Sequence, residues 1–398
     1  AFNISQFENH VRAVCDLGLE KVEKILALLS CERAKSDFLY YTSTKPGNPL
    51  YEKPIIKAEK GLFQVFEVKQ VLHSIENLLE TICSTNKADI TKLTKRKGDL
   101  LESKIVTIFS KFLGKDFTVY RSYNIDDCEQ DILILWKNLA FIIEAKGYNL
   151  REPLRDPNRA FVRIKDDFKN CIGYGYEQTM RVESKFLEGK PFKIYDKNGN
   201  TIGEINPDNY GDDFYSIIVN LKSFGQIQND LSTLLEIGED VYPWVIKLDD
   251  LEVFLLTLIK KKKTPKYFAN YLLFREELHG KLVCSDELEV CGGYLINKLN
   301  EKIVDKFDTI VTTPDLPEVF DEQYRKEIGF DKNLKKLVFH QARLATKAKL
   351  DAIVCSAQEV EIVKKVFKKE IITPGIRLDS KKNDQKRTLT PKQAFKSG

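Results

Sequence analysis

Glu144 and Lys146 stand two positions apart at the end of an apolar run, FIIEAKG, Phe141 to Gly147. In an extended chain alternate residues share a face. The carboxylate and the ammonium therefore point the same way as Ile142, while Phe141, Ile143 and Ala145 point the other way. Ahead of them lies QDILILWKNLA. A two-residue loop at Lys137-Asn138 pairs Trp136 with Leu139, and counting back sets Asp131 directly opposite Glu144. A four-residue loop keeps that register, and a three-residue loop shifts it by one. Opposed residues have Cβ atoms about 5 Å apart, and like charges there are destabilising. Two carboxylates so placed need a compensating cation. A divalent metal would supply one, since Mg²⁺ takes one or two carboxylates together with water and phosphate oxygens. Lys146 could then position a water or stabilise charge developing on a phosphate.

The pair has a plainer reading. Glu-x-Lys also occurs at Glu67-Val68-Lys69, Glu102-Ser103-Lys104 and Glu183-Ser184-Lys185, so Glu144 and Lys146 alone read as an exposed ion pair at a strand end. The apolar run before them, the cross-strand Asp131 and the order of elements around them favour a site. Asp126 and Asp127, in NIDDCEQD, are rivals for the first acid, but only Asp131 pairs naturally with Glu144. The four histidines form no spaced metal set, and no Walker phosphate loop or GxSxG elbow is present.

The whole chain sets the background for this chemistry. Its 398 residues suggest two or three domains, and 42% hydrophobic with 31% charged residues is a soluble, globular composition. A net charge of +4 leaves nucleic-acid affinity to local patches. Such patches are Lys92, Lys95, Arg96 and Lys97 on one side of the proposed site and Arg151, Arg155, Arg159 and Arg163 on the other. They suit a groove that tracks a phosphate backbone, or else form a solvated helix face and loop. Lys260 to Lys263 end an apolar helix, where cations favour the C-terminus in any case. Tyr174 and Tyr176 could stack on bases, with core packing the alternative. Eight cysteines without a CxxC pair read as reduced thiols of a cytoplasmic protein. No apolar run is long enough to span a membrane, and AFNISQFENH is not a signal peptide. Alanine at the start and a single methionine, Met180, suggest a processed or trimmed chain or a fragment of something longer.

Elements must hold these residues. FENHVRAVCDLGLEKVEKILALLS and LFQVFEVKQVLHSIENLLETI space apolar residues as helices do, with STKPGNPLYEKP as a turn-rich break. A connector, Lys92 to Gly98, precedes a helix with Asp99 as N-cap and Gly114 after its end. DFTVYRSYNI and QDILILWKNLAFIIEAKG then read as strands, and Asn158 to Leu187 as a long helical stretch. PFKIYDKNGNTIGEIN predicts a hairpin with a type I′ turn at Asn198-Gly199. FYSIIVNLK is a further buried strand.

A helix with Glu102, a strand, a strand with Asp131, a strand with EAK and a helix with Gln178 in YEQTM together resemble the core of the PD-(D/E)xK nuclease superfamily, over about Gly98 to Lys190. The resemblance implies a metal-dependent nuclease with a restriction-endonuclease-like α/β core, cutting phosphodiester bonds of nucleic acid, DNA foremost, with Mg²⁺ or Mn²⁺. It places Asp131, Glu144 and the Ala145 carbonyl on the metal. It gives Lys146 the attacking water, with Glu102 and Gln178 assisting, and Lys95, Arg96, Lys97, Arg155 and Arg159 the nucleic acid. CEQD departs from the family by lacking a proline before Asp131.

The end of the chain resembles a different family. DEQYRKEIGF, QARLATKAKLDAIVCSAQEV and EIITPGIRLDSKKNDQKRTLTPKQAFKSG are similar to orotidine 5′-monophosphate decarboxylase, with VCSAQE, TPGIR and DQKR in the family's order and spacing. The resemblance makes LDAIVCS and EIITPGIR the sixth and seventh strands of a (β/α)₈ barrel. Ser356 would contact the pyrimidine, and Gln385 the base and phosphate. The family's Asp-x-Lys-x-x-Asp network has no counterpart in the chain. The expectation is four regions: a helical 1–90, a nuclease-like 91–225, an accessory α/β 226–319 and a decarboxylase-like fragment at 320–398. Two rivals to the nuclease remain, a decarboxylase relative and a catalytically silent nucleic-acid-binding module.

Overall fold

The computed structural model describes residues 2–3, 18–32, 48–58, 62–65, 67–148, 151, 157–237, 241–312, 339, 342–343, 346, 352–354 and 360–372. The chain is mixed α/β and forms two units, one of 1–93 with 332–398 and one of 94–331.

In the first unit, β1 (Phe2–Asn3), α1 (Leu19–Leu29), β2 (Ser30–Glu32), α2 (Pro49–Glu52), β3 (Ile55–Ala58), β4 (Leu62–Val65) and α3 (Val68–Ile82) build a small sheet of order β1-β4-β3-β2 with helices. Two sequence expectations are corrected here. LFQV does not open the helix that follows but pairs antiparallel with IIKA, Ile55 opposite Val65. Both stretches carry β-branched or aromatic residues that suit a pleated, half-buried surface. The turn-rich break also holds a helical turn, α2, which Asn48 caps by accepting from the Leu50 N–H.

The second unit begins within α4 (Lys87–Leu113). The predicted connector at Lys92 to Gly98 is helix, and Asp99 lies inside it rather than at its N-cap. Lysine and arginine are good helix formers, and one glycine costs only about 1 kcal/mol. Gly114 ends the helix as expected, at φ +85°.

A seven-stranded sheet follows, of order β11-β10-β7-β6-β5-β8-β9. Its strands are β5 (Thr118–Ile125), β6 (Cys128–Trp136), β7 (Leu139–Lys146), β8 (Phe192–Tyr195), β9 (Thr201–Ile205), β10 (Phe214–Asn220) and β11 (Trp244–Lys247). The β5-β6-β7 meander is antiparallel, whereas β10 runs parallel to both β7 and β11. Between β7 and β8 come α5 (Pro157–Phe168), a π-helical turn (Lys169–Gly173) and α6 (Tyr174–Leu187).

The sheet buries both faces, which is why β7 reads as a nearly continuous apolar run. Phe141 and Ile143 join α4 in one core; Ala140 and Ile142 join Val182 and Phe186 of α6 in another. Phe141 packs against Phe109, Tyr215 and Phe268 with centroids 5.6, 6.0 and 5.7 Å away. Such pairs contribute about 0.5–1.5 kcal/mol each beyond area burial. The β8-β9 hairpin exists, but its turn is not type I′: only Gly199 has a positive φ, 81°. The Asp196 carboxylate instead accepts from the N–H groups of Asn198 and Asn200, supporting a longer loop.

Beyond the sheet lie α7 (Leu248–Lys260), α8 (Pro265–Glu276), β12 (Leu282–Val283), α9 (Glu287–Leu295), α10 (Glu301–Val304) and β13 (Ile310–Val311). Back in the first unit, β14 (Ala352–Val354), α11 (Val360–Lys364) and β15 (Glu370–Ile372) form a strand-helix-strand unit with parallel strands. These are the two strands expected in LDAIVCS and EIITPGIR. Among the described residues no closed barrel forms.

Candidate functional site

Register places the acids. Trp136 pairs with Leu139 and Ile132 with Ile143, so the next position along sets Asp131 opposite Glu144. The two are joined by hydrogen bonds across the strands. The Asp131 N–H donates to Glu144 Oε1 at 3.2 Å, and the Ala145 N–H donates to Asp131 Oδ2 at 2.8 Å. Glu144 is not an exposed rim residue, since only 1% of its side chain is accessible. It faces α6, because glutamate at this position shares the face of Ile142.

Lys146 closes the cluster. Its ammonium lies 2.8 Å from Glu144 Oε2 and 3.8 Å from Asp131 Oδ2. It also donates to Gln178 Oε1 of α6, and Gln178 in turn donates to the Glu129 carbonyl at 3.4 Å. Tyr174 covers the ammonium, with its ring centroid 5.3 Å away. That ring is half exposed rather than packed in the core. Gly175 explains how lysine fits beneath the helix. A Cβ there would meet Lys146 Cε at 3.0 Å and Ile218 at 3.2 Å. The π-helical turn just before α6 is a feature often found at functional sites.

Burial dominates the electrostatics. It pushes the Glu144 carboxyl up to about 8; Lys146 pulls it down, and Asp131 pushes it further up. Burial therefore favours the protonated form of Glu144. Tyr123, fully buried nearby, has its phenol pushed well up by burial and then by Glu144 and Asp131, and its hydroxyl has no hydrogen-bond partner.

Glu102 stands at the margin. The structure gives it Arg121 at 3.5 Å and the Ser122 hydroxyl at 3.4 Å, not Glu144 or Lys146. Burial raises its pKa, and the charge of Asp131 adds to the rise. Ser122 itself adopts a φ of 46° within β5, opposite Asp131, where the β5-β6 ladder skips a pair. Asp126 and Asp127 form the β5-β6 turn with φ of 49° and 61°, and Asp126 pairs with Lys185 at 2.8 Å.

The structure thus brings Asp131, Glu144, Lys146 and Gln178 together, with Glu102 beside them. Lys95 and Arg96 are exposed on α4 and Lys97 is half-buried; Arg159 is exposed on α5. Arg155, Ser356 and Gln385 lie outside the described residues. Sequence reading missed Arg121, Ser122, Tyr123 and Gly175. Only Gly175, a glycine between two tyrosines of a helix, carries a signal in the sequence.

Two opposed carboxylates require a compensating cation, and Lys146 is one. Lys146 stands 2.8 Å from Glu144 and 3.8 Å from Asp131 in that role. Among the described residues no three His, Cys, Asp or Glu side chains are grouped to hold a metal ion. None of the described helices is long and apolar enough to cross a membrane.

Comparison with known proteins points elsewhere. The orotidine 5′-phosphate decarboxylase of Coxiella burnetii (strain RSA 331 / Henzerling II) is 42% identical over 76 residues, 18% of this chain and 32% of that protein. That of Streptococcus pyogenes serotype M49 (strain NZ131) is 35% identical over 114 residues, 28% of this chain and 50% of that protein. The chain spans half or less of the length of these curated relatives. No protein-family model matches it, and no solved structure matches it. These findings overturn the expectation of a Mg²⁺-dependent nuclease of the PD-(D/E)xK type and its hydrolase class. Over part of its length this chain is similar to orotidine 5′-phosphate decarboxylases, which are lyases.

Proposed function

We propose that the stretch of about 320–398 is a piece of an orotidine 5′-phosphate decarboxylase, in a cytoplasmic protein, and that its function is recognition of a pyrimidine nucleotide. The observation that carries this reading is the parallel β14-β15 pair with α11 between its strands. It is the repeating unit of a (β/α)₈ barrel, in a stretch holding VCSAQE and TPGIR. Active sites of such barrels sit beyond the C-terminal ends of the strands. Ser356 follows β14 by two positions in the sequence, and TPGIR follows β15 directly. Decarboxylation needs the other strands and their lysine-aspartate network, so turnover is assigned only to a complex that supplies them. The test is calorimetric binding of uridine 5′-monophosphate to the full chain, with decarboxylation of orotidine 5′-monophosphate followed by absorbance. Binding that Gln385→Ala weakens about tenfold or more supports the reading. A chain that binds neither nucleotide overturns it.

A second reading concerns 94–331, which we propose binds nucleic acid without cutting it. A cavity of about 360 Å³ lined by Arg151, Asn158, Arg159 and Arg163, with Asp166 beside them, favours it. Mg²⁺ at Asp131 and Glu144 belongs to this reading and would have to displace Lys146 from Glu144. Fluorescence anisotropy with labelled DNA across a salt series tests it. Affinity should fall steeply with salt, and Arg159→Ala should flatten the slope by about one unit. Affinity independent of salt ends this reading.

A further inference from the structure

A cavity of about 480 Å³ lies among α8, the end of α9 and the start of α10, and neither reading above uses it. Tyr267, Phe274 and Tyr294 give it an aromatic wall. Ring centroids are 5.3 Å apart for Tyr267 and Tyr294 and 5.0 Å for Phe274 and Tyr294. Two cations line it, Lys263 and Lys302. The Lys263 ammonium already stands 4.2 Å from the Tyr267 ring centroid.

Asn300 adds a third feature. It lines the same cavity, and its Oδ1 is buried with no hydrogen-bond partner. Its amide nitrogen is held, donating to the Asn297 carbonyl at 3.2 Å and to Asn297 Oδ1 at 3.3 Å. Asn300 is thereby a fixed wall of the cavity, its side chain held by Asn297 and its Oδ1 closed to water as well as to the protein's donors. Glu301 also lines the cavity, and its carboxylate offsets one of the two positive charges.

The rings and the lysines ask for one molecule with two parts, because aromatic walls take a planar ring and the lysines take an anion. The volume lies within the range of small-molecule sites. We propose that this cavity binds a nucleoside monophosphate, with its base on Tyr267 and Tyr294 and its phosphate at Lys263 and Lys302. Stacking on tyrosine tolerates any base, because every base presents a π-face.

The test uses the full chain and adenosine 5′-monophosphate, titrated by calorimetry beside adenosine and inorganic phosphate. A purine is chosen because the pyrimidine reading concerns another stretch, so Gln385→Ala should leave its binding unchanged. Lys302→Ala and Lys263→Ala alter exposed or half-exposed side chains, and circular dichroism verifies their folding. Each should weaken the nucleotide about tenfold, and adenosine should bind wild type about as weakly as the nucleotide binds these variants. Three results would overturn the assignment: no binding of the monophosphate, equal binding to wild type and both lysine variants, or inorganic phosphate binding as tightly as the nucleotide.

Discussion

Two buried acid-cation pairs in the 94–331 unit show opposite uses of the same charges. Arg275 grips Glu287 with Nε at 2.8 Å and Nη2 at 3.0 Å, and both side chains are 2% exposed or less. Trp244 Nε1 and Tyr271 OH donate to the same carboxylate at 2.7 and 2.8 Å. The Arg275 guanidinium also donates to the Asn229 carbonyl, leaving only Nη1 without a partner. Its fork suits two carboxylate oxygens at once. Glu144 receives less. One ammonium and one backbone N–H face it, with Asp131 adding repulsion, and its pKa rises to about 8. Beside it Lys146 and Asp131 keep 12% and 22% of their side chains accessible. Saturation of the Glu287 carboxylate makes the first pair structural, and the sparser bonding of Glu144 leaves the second a titratable cluster that water and ligands can reach.

The largest expected effect tests the structural half of this contrast. Arg275→Met leaves Glu287 buried without its cation and should cost about 3–5 kcal/mol of stability by urea unfolding. Adding Glu287→Leu to it should recover much of the loss, because the uncompensated charge is gone. A single-variant loss below about 1 kcal/mol would place the pair with exposed bridges and dissolve the contrast.

Glu144→Gln tests the other half through pH. The folded carboxyl titrates near 8 against an ordinary value of 4.5, so between those values the folded state keeps a proton that the unfolded state releases. Stability therefore falls as pH rises through that window, by up to about 1.4 kcal/mol per pH unit, and the dependence levels off outside it. Glutamine cannot titrate. The wild-type minus variant difference in unfolding free energy should shrink with rising pH from 5 to 8. A difference constant over that range would mean Glu144 is ionised when folded.

Much of this cluster was legible beforehand because a strand has period two. The Lys137-Asn138 loop fixed Trp136 on Leu139, and that register carried Asp131 to Glu144. The helix holding Gln178 falls inside the stretch read as helical, Asn158 to Leu187, which the structure divides into α5, a π-helical turn and α6. What the sequence hid was context. Glu-x-Lys at a strand end looks exposed until α6 covers it, and Gly175 permits that approach. The Arg275-Glu287 pair was missed although Arg275 falls on the stripe of Phe268 and Tyr271, where a charge among core residues demands a partner. The nuclease reading failed differently: an order of elements and three residue types do not specify a reaction. The decarboxylase-like end was legible through contiguous motifs, which similarity to known enzymes supports over part of the chain.

Gly175→Ala probes how closely α6 must sit on Lys146. The added Cβ would lie 3.0 Å from Lys146 Cε and 3.2 and 3.3 Å from Ile218. Overpacking of this kind costs about 1–3 kcal/mol, against roughly 1 kcal/mol gained in helix propensity. A net loss of about 1 kcal/mol in urea unfolding is expected. A net gain would show that Lys146 yields easily and is not clamped by the helix.

Ser122 should show the smallest effect, with a sign opposite to the rest. Its φ of 46° is left-handed in the middle of β5, where an L-residue is strained by about 1–2 kcal/mol. Glycine removes that strain, and the hydroxyl it deletes makes only a 3.4 Å contact with Glu102. Ser122→Gly should therefore raise stability by about 0.5–1 kcal/mol after the entropy cost of glycine in a strand. Ser122→Val, β-branched at positive φ, should lower it, and the two melting temperatures bracket wild type. If glycine destabilises instead, the Ser122 hydroxyl itself holds the kink, and the break in the ladder opposite Asp131 is anchored through Glu102. If both variants match wild type, β5 has straightened at no cost, and the gap beside Asp131 owes nothing to backbone strain.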